Sequence, residues 1–320
     1  MKTLTAPNKA EKIRLRRHER QLRLKSMRRN WELYLFVLPA LAVIVLFYFV
    51  PIYGVQIAFR DFDAYAGITG SEWVGMKNFM RFFSSPSFWT LIKNTLAVSV
   101  YQLTVGFFVP IVLALLLTQV ENRGFKKFVQ NVIYAPYFIS VVVIVGMLSI
   151  FLSPSAGIVN AVRQLMGMEV LDFMAQPEFF RHLYVWSGIW QTAGWGTIIY
   201  IAALSGVNPE LYEAATVDGC NKFQKMMYVD IPCIIPTMII VLILNTGTVM
   251  NIGFEKVYLM QNNLNLPVSE VISTYVYKIG IINTDYSLAS AIGLFNSVIN
   301  CGLLLAVNTV SRRVGDTSLW

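Results

Sequence analysis

Amide and aromatic side chains recur where an apolar chain has least reason to carry them. Tyr101 and Gln102, Trp186, Trp190, Gln191 and Trp195, Asn245, Thr246, Thr248 and Asn251, and Asn296, Asn300 and Asn308 all fall inside long uncharged stretches. An unpaired polar group in hydrocarbon costs several kcal/mol, so each must face another helix or a cavity. The chemistry they offer is recognition of hydroxyl-rich ligands: an amide both donates and accepts, and an aromatic face covers the C–H face of a sugar ring. Gln191 with Trp195, and Asn296 with Asn300, are four residues apart and share a helix face. Asn245, Asn251, Asn296 and Asn300 are the preferred lining residues, because they cluster in the last two apolar stretches. Hydrogen bonding between helices and interfacial anchoring by Trp are the competing uses.

Covalent chemistry finds little support. Cys220, Cys233 and Cys301 have no metal-ligand spacing, and an odd number gives no disulfide framework. The two histidines are His18 and His182, and the carboxylates Asp61, Asp63, Glu72, Asp172 and Glu178 are scattered. No phosphate-binding, nucleophile-elbow or zinc-protease motif occurs. A metal site is therefore not expected, and any nucleotide must be hydrolysed by another chain.

A second group of residues suits mechanical work. Asn208 is a good helix cap, Pro209 suits a first helical position, and Glu210 and Glu213 complement the positive end of the helix dipole. Gly219 can take the left-handed conformation that stops the helix. Asn221 can restart a second short helix, and Pro232 then opens a new apolar stretch. Residues 208–232 thus read as helix, turn and helix. Small Ala214 and Ala215 permit close approach by another protein's backbone, while Glu213 and Asp218 are anionic handles. An amphipathic loop lying on a membrane surface is the alternative.

The elements that must hold these groups follow from hydropathy. Of 320 residues 56% are hydrophobic and 14% charged, with a mean hydropathy of +0.56. A soluble domain carries about 25% charged residues, so the chain reads as an integral membrane protein. A spanning helix needs about 20 apolar residues, and six stretches qualify: 33–59, 94–120, 128–152, 183–204, 231–254 and 286–311. Residues 257–269 are uncharged but short and Asn-rich, and read as a loop. The formal charge is +8, yet residues 1–30 alone hold eleven Lys or Arg against Glu11 and Glu19. This basic tail reads as an orientation signal at anionic lipid headgroups, and nucleic-acid binding is not supported. With the tail inside, Lys and Arg divide eighteen to eight in favour of both termini being cytoplasmic. The first stretch exceeds a signal-peptide core and should remain in the mature protein. Residues 31–320 form the membrane domain.

Glu213-Ala214-Ala215, three residues, Gly219, nine residues, then Val229-Asp230-Ile231-Pro232 resembles the E-A-A-x₃-G-x₉-I-x-L-P signature of permease subunits in binding-protein-dependent ABC importers. Val229 and Ile231 are mild departures from it. The Trp73–Phe79 region, Pro86 to Trp89 and Asn94-Thr95 resemble the sugar-permease pattern. The Asn251–Lys256 region, Thr274 to Tyr277, Gly280 and Ala291 to Phe295 resemble the branch associated with complex oligosaccharides. The resemblance implies an all-α, six-helix type I importer permease in a bacterial cell membrane. It implies that Glu213, Ala214, Ala215, Asp218, Gly219 and Pro232 belong to a coupling segment docking on an ATPase. Implied partners are a second permease forming a heterodimer, two ATPase domains that hold ATP and Mg, an extracellular solute-binding lipoprotein and an oligosaccharide. An ion-coupled secondary sugar transporter is the alternative, disfavoured because no crossing has an acidic residue or His near its middle.

Overall fold

Helices dominate because almost every apolar run is long enough to satisfy its backbone internally. The computed structural model describes residue 25 and residues 29–314. Most of the basic tail lies outside the described residues. Contacts divide the chain into two units, Met1–Gln56 and Ile57–Trp320.

In the first unit, α1 (Trp31–Ile44) continues through a π turn, Val45–Phe49, and a 3-10 stretch beginning at Val50. Helical structure runs over Trp31–Phe59, matching the first expected crossing. No residue of α1 is buried, as suits a helix that meets lipid.

The second unit begins with a short antiparallel pair, β1 (Arg60–Asp61) and β2 (Glu72–Trp73), followed by α2 (Lys77–Phe83). Asn78 of α2 ties this region together by donating to the carbonyls of Ala58 (3.1 Å) and Arg60 (3.0 Å). The long α3 (Phe88–Thr118) is the spine. Its Leu91 packs with Phe82 and Ile292, its Val98 with Phe180 and Val185, and its Ile111 and Leu115 with Tyr200 and Ile234. The main neighbour of α3 along its length is α7 (Pro177–Ser205), which contributes Phe180, Val185 and Tyr200.

The third expected crossing is corrected. It forms two helices, α4 (Arg123–Tyr134) and α5 (Val141–Phe151), bent by 98° with a 3-10 turn, Ala135–Phe138, at the break. Pro136 has no N–H to continue the ladder, and Ser140 caps a new helix by accepting from the Val143 amide at 3.4 Å. Gly194 of α7 makes this bend possible, because a Cβ there would stand 1.9 Å from the Ile133 carbonyl oxygen. After α6 (Ile158–Leu165), α7 has ample length at 29 residues, although Trp, Gln, Thr and Gly make it less apolar than the others. Among the described residues four helices are long and apolar enough to cross a membrane, five with the bent pair; α7 completes the expected six by length.

The last third also departs from expectation. The helical run Lys222–Thr246 is unbroken, so Pro232 does not start a separate crossing. It comprises α9 (Lys222–Lys225), a π turn at Met226–Asp230 and α10 (Ile231–Thr246). The wider turn accommodates the missing Pro232 donor without ending the helix. The crossing expected over 231–254 stops early, at Thr246, where Gly247, Thr248 and Asn251 favour turns over helix. The expected loop at 257–269 contains α11 (Phe254–Met260) and α12 (Leu266–Ser269). Buried Asn265 organises it, donating to the Met174 and Met260 carbonyls and accepting from the Asn262 amide. Then come α13 (Ile272–Tyr277), a π turn, Lys278–Ile282, and the final α14 (Tyr286–Val314).

Candidate functional site

Where α10 unwinds, its backbone meets α14. The Asn300 amide oxygen accepts from the Met250 N–H at 3.0 Å, replacing the helical partner that residue no longer has. Asn300 and Asn296 both donate to the Asn251 oxygen, at 3.0 and 2.9 Å. Three of the four preferred asparagines thus form one cluster, and the fourth, Asn245, stands at the last turn of α10.

Beside this cluster lies a cavity of about 270 Å³, near the lower end of small-molecule sites at about 300 Å³. Asn245, Thr248 and Asn251 line one wall. Ser99, Gln102 and Gly106 of α3 and Gly188 and Thr192 of α7 line the others. The Ser99 hydroxyl is buried and has no hydrogen-bond partner among the described residues. Buried Asn296 Oδ1 is also unpaired. Asn296 and Asn300 stand behind Asn251 and hold it, so their part is to position that amide. Unwound backbone at membrane depth is tolerated where it lines such a cavity.

Gln191 and Trp195 share a face, as their spacing predicts, but that face meets the α4–α5 break. Gln191 donates to the Ile139 carbonyl at 2.8 Å, and Trp195 stacks on Tyr137 with centroids 4.5 Å apart and planes 7° apart. Neither lines the polar cavity. Trp186 and Trp190 line a separate apolar cleft of about 400 Å³ against α5. There the Tyr101 hydroxyl joins His182 Nδ1 and Trp186 Nε1, each at 2.9 Å. The lining residues missed from sequence, Ser99, Gly106, Gly188 and Thr192, carried a signal in their spacing. Positions 99, 102, 103 and 106 fall on one helix face, as do 188 and 192.

The second site is the turn after α7. Here α8 (Pro209–Val217) is capped by Asn208, whose oxygen accepts from the Glu210 N–H at 3.1 Å. It ends in a paired C-cap: the Cys220 amide donates to Ala215 and the Gly219 amide to Thr216, with Gly219 at φ +77°. Asn221 and Gln224 close a reciprocal capping box at the start of α9. Glu213, Ala214 and Asp218 are exposed. Ala215 is buried, which corrects the expectation that both alanines share an approachable face; neighbours in a helix point about 100° apart. Pro232 lies inside the long helix, away from the exposed turn. Val217, at 89% exposure, with Phe223 and Tyr228 exposed nearby, makes the projecting turn partly apolar.

Asp230 fixes this turn to the membrane helices. Its carboxyl, 1% exposed, accepts from the Tyr212 hydroxyl at 2.5 Å and from Gln119, just beyond α3, at 3.1 Å. Burial, and then the Asp230 carboxylate, push the Tyr212 hydroxyl above its usual range. A surface ion pair, Lys222 to Glu121 at 2.5 Å, joins the same loops, and Lys222 holds the Glu121 carboxyl below its usual range. Asp230 appears in the quoted motif, but its role as a clamp depends on Tyr212 and Gln119, distant in sequence. Among the described residues no cluster of three His, Cys, Asp or Glu could hold a metal.

Residues 106–316 match the model of the binding-protein-dependent transport system inner membrane component family. The chain is 39% identical, over the full length of both, to the polygalacturonan/rhamnogalacturonan transport system permease protein YteP of Bacillus subtilis. It is 38% identical to protein LplB of the same organism, over 93% of each chain. A crystal structure of a bacterial alginate ABC transporter, in complex with an alginate pentasaccharide-bound periplasmic protein, contains a chain that superimposes with a TM-score of 0.85 and 37% identity, covering 92% of this chain and 99% of that one.

Proposed function

The chain belongs to the family of binding-protein-dependent transport system inner membrane components, and on that premise we propose that it is the permease subunit through which an ATP-driven importer takes up an oligosaccharide. The observation that carries this reading is the continuous Lys222–Thr246 helix, which starts at the exposed turn and unwinds into the amide-lined cavity. At 1.5 Å per residue its 25 residues span about 37 Å. Force applied at the turn therefore reaches the cavity without crossing a flexible joint.

In this mechanism the turn, with Glu213, Ala214, Asp218 and Gly219 at its surface, docks on a separate ATPase subunit that binds ATP and Mg. Two such subunits closing together draw the turns inward and open the cavity outward, and an extracellular binding lipoprotein then releases sugar into it. Hydrolysis resets the inward-facing state. A second permease subunit encloses the other side of the route. The asparagine amides and the Ser99 hydroxyl exchange hydrogen bonds with sugar hydroxyls. The excess of Lys and Arg on the tail side supports a cytoplasmic location for both termini. The saccharide named for the YteP relative and the alginate of the matched transporter support the cargo class.

The test is uptake by the reconstituted complex. Gly219→Val forces a β-branched residue into left-handed backbone, and Glu213→Lys reverses the charge of the exposed face. Both should insert normally, yet lose at least tenfold in saccharide uptake. Full uptake by both variants would remove the docking role.

A further inference from the structure

A buried cation stands beside the cavity wall with no anion among the described residues to balance it. Lys256, in the first turn of α11, is 7% exposed. Its ammonium makes one hydrogen bond, to the Tyr184 carbonyl at 2.9 Å, and faces the ring of the same tyrosine at 4.9 Å. Among the described residues no carboxylate lies within ion-pair distance. Two of its three N–H groups therefore have no acceptor among the described residues. A buried charge is expensive unless paired, so this position asks for an anion from elsewhere.

Its placement says where that anion would be. Nζ lies 3.2 Å from the point where a side chain on Gly188 would begin, and Gly188 lines the polar cavity. With no side chain on Gly188, the ammonium lies against a residue that lines the cavity. All the residues lining the cavity are neutral, and the Ser99 hydroxyl on it is unpaired. The wall thus combines neutral groups suited to hydroxyls with one unneutralised positive charge beside it.

We propose that Lys256 makes the cavity selective for saccharides that carry carboxylates, such as uronate oligomers, over neutral ones of the same skeleton. This rests on the reading of the cavity as the cargo route. Across a few ångströms of poorly solvated protein the attraction is weakly screened, and a neutral sugar gains none of it. Burial lowers the ammonium pKa to about 8, which leaves it mostly protonated at pH 7.

The test uses the complete complex in vesicles, with its ATPase and binding protein unchanged, and two probes: trigalacturonate and its fully methyl-esterified form. Lys256→Met keeps most of the side-chain length without the charge, and Lys256→Arg keeps the charge. The Met variant should lose about tenfold or more in uptake of the acid while uptake of the ester stays within twofold, and the Arg variant should retain the preference. Equal loss of both probes in the Met variant, or no loss of either, overturns the proposal and leaves Lys256 a packing residue. If Met does not fold, an Arg variant that imports the ester at least as well as the acid overturns it too. Wild-type uptake of the ester alone overturns the charge selectivity while sparing the oligosaccharide reading; uptake of neither probe overturns both.

Discussion

Asp230 shows how one carboxyl can join two separate elements. It holds the Tyr212 hydroxyl from α8 and the Gln119 amide beyond α3. Asp230→Ala leaves both donors without their buried acceptor, at about 1–3 kcal/mol for each unsatisfied group. The variant should insert and bind its ATPase, with a lower thermal midpoint and ATP turnover no longer stimulated by cargo; retained stimulation would show that the clamp transmits nothing. Lys256 yields a second prediction. Its folded pKa, about 8, is depressed from 10.5, and the Tyr184 ring faces it. Between those values the unfolded chain binds more protons than the folded one, so stability rises with pH. The penalty is fully present below pH 8 and relieved as pH approaches 10.5. The thermal midpoint of wild type should therefore gain on that of Lys256→Met across this window, and parallel curves would contradict the assignment.

At the scale of elements, local chemistry and tertiary contact divide the labour. Asn208, Gly219 and the Asn221–Gln224 box mark their helix ends in advance, because caps act within a few residues. The break between α4 and α5 is hidden in a continuous run of uncharged, mostly apolar residues, with Pro136 and Ser140 as its local signs. Gly194 is what lets α7 pack against the bend. Gly194→Ala would drive a methyl into the Ile133 carbonyl, and backbone cannot swing aside as a side chain can. An overpacking cost of about 1–3 kcal/mol is expected. The variant should lose folded yield in detergent and shift its thermal midpoint down, whereas Gly146→Ala on α5, with nothing within 4 Å, should not.

Across the second unit, the amide cluster and the exposed turn lie at opposite ends of one helical run, so a change at either should be read at the other. Asn300→Leu removes the acceptor of the Met250 N–H and one donor to Asn251. It should reduce sugar-stimulated ATP turnover several-fold without changing basal turnover, and Asn296→Leu should do the same more weakly. Unchanged stimulation in both would detach the cluster from the cargo route. By itself the sequence determined the number and placing of the long apolar stretches, the helix caps and the turn with its family motif, because hydropathy and capping are written within one helix length. Only the tertiary structure decided which amides share a cavity. That depends on which face of α3 meets α7 and on where α10 unwinds, which bring Ser99 to Asn251 across more than a hundred residues. It also decided that Lys256 is a buried cation, since burial depends on Tyr184 and Gly188, which no local pattern connects to it.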